Sequence, residues 1–141
     1  FYAINNMLLH KLFLGEGHWT RWEWYQFPVK KWAIPGPQIK QILTGWEGPA
    51  GCLATDRIMV DGCKVGYFYR EEALNEGDSG WRFFAGDEDD CYTSDPDKVG
   101  FFHLNTLCNY DPTVLPWLRA EIGTAFVREE NGEFRQDKLD D

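Results

Sequence analysis

Two aromatic stretches dominate the middle of the chain: Gly66-Tyr67-Phe68-Tyr69-Arg70-Glu71-Glu72 and Asp78-Ser79-Gly80-Trp81-Arg82-Phe83-Phe84-Ala85-Gly86. Successive side chains of a β-strand point to opposite faces. We therefore predict strands over 64–70 and 81–85, with Tyr67 and Tyr69 on one face of the first strand. Trp81 and Phe83 share a face of the second, with Arg82 opposite. If these strands pair, Arg70 and Arg82 are expected among the acidic residues, where they neutralise some of them; a structural salt-bridge cluster and a binding role both stay open.

Further elements are predicted on both sides of this pair. A strand is expected over 52–59, with a tight turn at Asp61-Gly62. Asp111 is the predicted N-cap of a helix that runs to Arg119, and an Asn131-Gly132 turn joins strands 124–128 and 133–136. Before them, a short helix starts at Pro37, with Ile39, Ile42 and Leu43 on one face. Strands and helices do not alternate strictly, so the predicted class is α+β. We expect a mostly antiparallel sheet with a few short helices, in a single compact domain.

Three regions follow from the composition along the chain. Residues 1–51 form an aromatic N-terminal extension and connector, which holds a candidate strand at 21–27 and is expected to pack on the core as a layer or flap. A ligand or peptide groove is the alternative interpretation of this region. Residues 52–136 form the α+β domain, and residues 137–141 a frayed tail. No targeting segment is visible, so the cytoplasm is the default localisation.

The chain is acidic, and its charge is unevenly distributed. The net charge is −9. Residues 1–50 carry five basic and three acidic residues, whereas residues 51–141 carry nine and twenty. This balance disfavours phosphate backbones and anionic membranes as partners, because both would repel the chain. It favours a basic protein partner, or it serves solubility alone.

The four cysteines at positions 52, 63, 91 and 108 include no C-x-x-C pair. A local zinc or redox motif is therefore absent. Reduced and mostly buried thiols are expected, with disulfides as the alternative.

An acidic run, Asp87-Glu88-Asp89-Asp90, follows the second strand, with Asp95 and Asp97 shortly after. Adjacent carboxylates repel one another, so they must be solvated, bound to a cation or opposite a positive partner. A helix-loop-helix calcium site fails on spacing, since the sixth position is Tyr92 and the twelfth is Lys98. A solvated loop, an irregular cation site and a partner-binding loop all stay open.

No arrangement of residues points to catalysis. The three histidines lie among aromatic or irregular sequence, and Ser79 is not in a Gly-x-Ser-x-Gly turn. Phosphate-binding glycine motifs are missing as well. We expect a protein that is not an enzyme and needs no cofactor.

A longer pattern carries a family resemblance. It includes Ala54–Met59, Gly66–Glu72, Leu104–Thr106, Asn109–Pro112 and Gly123–Phe126 around the specific core Gly-Trp-Arg-Phe-Phe-Ala-Gly-Asp-Glu-Asp-Asp at 80–90. Over about 52–134 the chain resembles a bacterial domain-of-unknown-function family, also described as the Imm33-like immunity proteins. The resemblance implies that the chain neutralises a cognate toxin, without implying any catalytic residue.

The resulting hypothesis is a non-catalytic immunity protein that binds a basic toxin domain. The expected contact residues are Asp87, Glu88, Asp89, Asp90, Trp81, Arg82, Tyr67 and Tyr92. Carboxylates would attract the basic partner, and aromatic rings would anchor it. A regulatory or scaffold module is the first alternative. The second is a metal-binding protein that uses the acidic run 87–90, called the acidic loop below. The sequence leaves the oligomeric state open.

Overall fold

The computed structural model describes residues 30–139. The strand predicted at 21–27 and the last two residues of the predicted tail lie outside this range. Within it, six strands form one sheet in the order β4-β1-β3-β2-β5-β6. Their bounds are β1 Gly51–Thr55, β2 Tyr67–Arg70, β3 Asp78–Phe84, β4 Val99–His103, β5 Thr124–Arg128 and β6 Phe134–Lys138. The pair β1 and β3 is parallel, and the other four pairs are antiparallel.

Short helices connect the strands. They are α1 (Asp56–Met59), α2 (Asp90–Thr93) and α3 (Leu104–Tyr110), together with 3₁₀ turns at Gly36–Gln38, Pro96–Lys98 and Pro112–Trp117. A mostly antiparallel sheet with a few short helices confirms the predicted α+β class.

The main hydrophobic core lies between one face of the sheet and the helices. Phe68, Trp81 and Phe83 line this face and pack with buried residues of α1 and α3, such as Ile58 and Leu107. The opposite face carries a second buried cluster that includes Tyr67 and Tyr69. The predicted alternation along β2 and β3 is therefore confirmed, because its members separate into the two clusters.

Two predicted elements are wrong. The helix expected from Pro37 is only the 3₁₀ turn Gly36–Gln38, and Ile39 is already extended. Leu43 is buried without helical geometry, because side chains of α3 take up the main-chain N–H groups of this segment. The strand predicted to reach residue 59 ends at Thr55. A helical turn follows at once, in which the N–H of Val60 donates to the carbonyl of Asp56 at 2.8 Å, so residues 56–59 pair along the chain and not with a neighbouring strand.

Other boundaries also differ from the sequence predictions. The turn at Asp61-Gly62 does not join paired strands, because β3 and not β2 lies beside β1. Asp111 caps as predicted by accepting the N–H of Thr113, but the helix that follows is a 3₁₀ turn containing Pro116. The hairpin of β5 and β6 is confirmed. The expected frayed tail starts too early, since Asp137 and Lys138 are in β6.

Candidate functional site: the acidic end of the sheet

Carboxylates from separate parts of the chain gather at one end of the sheet. The parallel neighbours β1 and β3 both finish at this end, and β4 begins there, with Thr55 opposite Val99. Acidic residues follow each of the two finishing strands and precede the third. We call this surface the acidic end; its carboxylates are Asp56, Asp61, Asp87, Glu88, Asp89, Asp90, Asp95 and Asp97.

Glu88 is buried and holds the acidic loop in shape. Its carboxylate accepts hydrogen bonds from the backbone N–H of Ala85 and Gly86, both at 2.8 Å. It also accepts the hydroxyl of Thr55, the last residue of β1. The most conspicuous acidic run thus contains one residue that points inward and fixes the loop against β1.

Arg57 joins the acidic loop to helix α1. Its guanidinium donates to Asp61 at 3.0 Å and to both oxygens of Asp87, at 3.1 and 2.5 Å. The hydrogen bond from Arg57 lowers the pKa of Asp87 below its usual value, although partial burial opposes this. Asp87 therefore stays ionised at neutral pH, and one cation is shared between two exposed carboxylates.

The outer part of the acidic end belongs to helix α2. Asp89 caps this helix by accepting the N–H of Tyr92 at 2.8 Å, while Asp90 is exposed. Burial raises the pKa of the half-buried Tyr92, and the negative charges of Asp56, Asp61 and Glu88 raise it further. Its phenol consequently stays protonated and can donate a hydrogen bond.

Lys30 ties the start of the described chain to the same end. Its ammonium lies 3.0 Å from the carboxylate of Asp56 and donates to the backbone carbonyl of Asp97. Asp56 is therefore buried and paired, so it adds little free negative charge to the surface.

Three residues predicted to touch a partner lie inside the protein. Trp81 is fully buried, and its indole N–H donates to the carbonyl of Leu118 at 2.9 Å. Arg82 is fully buried as well, and both terminal nitrogens of its guanidinium bind Asp78, at 2.8 and 2.7 Å. Tyr67 is 9% exposed and packs in the second cluster.

The structure therefore divides the predicted contact residues. It brings Asp87, Glu88, Asp89, Asp90 and Tyr92 together, whereas Trp81 and Arg82 have no exposed surface to offer. The expected neutralisation of the acidic loop by Arg82 is wrong, because Arg82 pairs with Asp78 and Glu71. Arg57 neutralises the acidic loop instead. Sequence reasoning missed Arg57 and Asp61, because their proximity to Asp87 depends on the pairing of β1 with β3.

Among residues 30–139, no group of three or more histidine, cysteine, aspartate or glutamate side chains is arranged to hold a metal ion. The four cysteines, all within the described range, are free thiols: Cys52 and Cys108 are buried, and Cys91 is exposed. None of the helices described is long and apolar enough to cross a bilayer.

The comparison with protein-family models identifies the class of protein. The model described as the immunity protein Imm33 domain matches residues 52–138, which include all six strands except the first residue of β1. The chain belongs to this immunity-protein family. Comparisons with curated proteins and with solved structures gave no match.

Proposed function

We propose that this protein neutralises a cognate protein toxin by binding it at the acidic end of the sheet. Family membership supports a toxin as the partner. The observation that carries the choice of surface is the gathering of exposed carboxylates at one end of the sheet: Asp61, after α1, and Asp87 both bind Arg57, and Asp90 begins α2.

The charge of this end favours a basic partner surface. Asp61, Asp87 and Asp90 are exposed, and a single guanidinium is shared between the first two. Because three carboxylates here face one guanidinium, the surface keeps an excess of negative charge, which attracts a basic protein over a distance and orients it before contact. Tyr92 lies beside them as a half-buried ring with a protonated hydroxyl, which is the kind of residue that anchors interfaces.

The proposed contact residues are thus Asp61, Asp87, Asp89, Asp90 and Tyr92. Glu88 acts indirectly, since its carboxylate is used to hold the loop. Trp81, Arg82 and Tyr67 are left out of the proposed interface because they are buried. Blocking a toxin requires only occlusion of its working surface, so the proposal needs no catalytic residue or cofactor.

The test is a rescue experiment with the cognate toxin, which is to be sought among the genes that flank this one. The triple variant D61N/D87N/D90N removes three exposed charges and keeps side-chain shape. We expect its affinity for the purified toxin to fall at least about tenfold at low salt, because steering and charge complementarity are lost. Growth rescue on co-expression should weaken in parallel.

The matched control removes three charges at the opposite end of the sheet. Glu72, Glu76 and Glu121 are exposed there, beyond the end of β2 and before the starts of β3 and β5. The variant E72Q/E76Q/E121Q has the same net charge as the test variant and should bind within about twofold of the original chain. Equal weakening by both variants would mean that the net charge alone causes the loss of affinity and that the acidic end is not the interface.

The two alternative functions predict different outcomes. A regulatory or scaffold module would bind a protein that is not a toxin and would not restore growth. A metal-binding protein would release or absorb heat when titrated with calcium, magnesium or manganese, and D87N/D90N would abolish that signal.

A further inference from the structure

Residues 34–43, called the strap here, precede the matched family region and cross helix α3 of that region. Apart from its own 3₁₀ turn, the strap is held mainly by side chains that bind its main chain. Tyr110, at the end of α3, uses its hydroxyl twice: it accepts the N–H of Ile34 at 3.0 Å and donates to the carbonyl of Ile34 at 3.2 Å.

Two asparagines of α3 continue this pattern. Asn109 accepts the N–H of Lys40 at 2.9 Å and donates to the carbonyl of the same residue at 2.8 Å. Asn105 accepts the N–H groups of Ile42 and Leu43, at 2.8 and 2.9 Å, and donates to the carbonyl of Lys40 at 2.9 Å. Residues four apart lie on the same face of a helix. The two amides therefore replace the neighbouring strand that an extended segment would otherwise pair with.

Apolar packing supplies one deep anchor and several shallow ones. Leu43 is 4% exposed and belongs to the main core, whereas Ile34, Ile39 and Ile42 are only partly buried against it. A segment bound by its main chain and one apolar side chain resembles a docked peptide ligand, in which main-chain bonds give affinity and a pocket gives selectivity.

We propose that the face of α3 bearing Asn105, Asn109 and Tyr110 is a binding site for an extended peptide. The chain fills this site with its own strap, and the same segment binds there when supplied as a separate molecule. The ligand class is an extended segment with a leucine-sized residue at the position of Leu43. The exposed strap position Lys40 tolerates substitution, because the site contacts its main chain.

The experiment converts the covalent strap into a separate ligand within the folded chain. A protease recognition sequence is inserted between Gly48 and Pro49, which lie in a surface loop after the strap, and the folded full-length protein is cut there. We expect the released N-terminal fragment to stay bound through gel filtration. A fluorescent synthetic peptide of residues 30–48, which also carries the contacts of Lys30 and Gly45, should then displace it at saturating concentration.

Main-chain recognition is tested with N-methylated peptides. Methylation of the Ile42 nitrogen removes a donor that Asn105 accepts, and it should weaken peptide binding at least about tenfold. Methylation of the Gln41 nitrogen is the matched control, because that N–H makes no hydrogen bond within residues 30–139; we expect a change below about threefold.

Each other outcome contradicts the proposal. Loss of the fragment from a domain that stays folded would mean that the site has no affinity for a separate segment. Unfolding of the domain on cutting would make the strap an inseparable part of the core. Equal weakening by both methylations would mean that side-chain packing alone holds the segment.

Discussion

Arg82 is a charged residue that lies entirely in the protein interior. Its side chain is fully buried, and it makes two bonds to Asp78 and one of 2.7 Å to Glu71. Asp78 also accepts the N–H groups of Leu74 and Gly80. A buried guanidinium is tolerated only when its charge and donors are matched in this way. The hydrogen bonds among Arg82, Asp78 and Glu71 therefore stabilise the loop between β2 and β3 from the protein interior.

We predict that Asp78→Asn lowers the free energy of unfolding by about 3–5 kcal/mol, because it removes the negative charge of a buried carboxylate that is paired with a buried cation. Chemical denaturation followed by tryptophan fluorescence measures this change. The control is E129Q, which breaks the exposed pair of Arg135 and Glu129 and should change the free energy of unfolding far less than Asp78→Asn does. Similar losses in both variants would contradict a special role for burial.

The Asp78 carboxylate also makes the free energy of unfolding depend on pH. Burial raises the pKa of Asp78, but the hydrogen bonds and charge of Arg82 outweigh this, so the pKa lies below its ordinary value of 3.8. A depressed pKa stabilises the fold fully above that ordinary value, and this stabilisation is lost as pH falls through the folded-state pKa. Unfolding free energies measured from pH 5 to pH 2 should therefore decline less steeply for Asp78→Asn than for the original chain.

At the scale of the element, β3 depends on an irregularity that lets it pair with β1. Gly51 pairs with Asp78 and Leu53 pairs with Arg82. Between these two pairs, β1 advances by two residues while β3 advances by four, so β3 bulges. Gly80 lies within this bulge at a φ of 91°, a conformation that favours glycine. The bulge explains why the predicted strand at 81–85 began too late, since positive φ is not visible in an alternation pattern.

We predict that Gly80→Ala costs at least about 3 kcal/mol, the upper part of the range for a strained backbone plus a steric clash. A Cβ at this position would come within 2.1 Å of the carbonyl oxygen of Glu71. Gly123 is the matched control: its φ is 94°, yet its Cβ would meet nothing within 4 Å. Gly123→Ala should therefore cost about 1 kcal/mol. Equal thermal shifts in the two variants would assign the whole effect to φ.

Elements with local signals were predicted best. The hairpin of β5 and β6 has its turn sequence between its strands, and Asp111 caps through its own next turn. The helix expected from Pro37 was predicted wrongly, because the main chain of Lys40 and Ile42 binds Asn109 and Asn105, more than sixty positions away. An apolar spacing typical of a helix cannot report such distant hydrogen bonds.

At the scale of the whole molecule, charge is sorted by the strand order. Both acidic segments that follow β1 and β3 lie at one end, because these strands are parallel neighbours. The exposed carboxylates of these two segments therefore lie at the same end of the sheet, where their combined field would steer the proposed basic partner.

We predict a steep salt dependence of toxin association. Between about 0.05 and 0.5 M salt, the association rate constant should fall about tenfold or more, while the dissociation rate constant changes by less than about threefold. Stopped-flow or surface-based kinetics measure both. The variant D61N/D87N/D90N should have a flatter dependence than E72Q/E76Q/E121Q. Parallel salt curves for the two would contradict directed steering.

The order of residues alone predicted the α+β class and the alternating faces of β2 and β3. It also carried the family resemblance and the excess of acidic residues after position 50. These features depend on neighbouring residues, so local patterns report them. Folding in three dimensions placed Arg57 and Asp61 beside Asp87, buried Trp81 and Arg82, and laid the strap across α3. Those outcomes depend on which distant strands pair and which main-chain groups need partners, and no local pattern in a single chain records that choice.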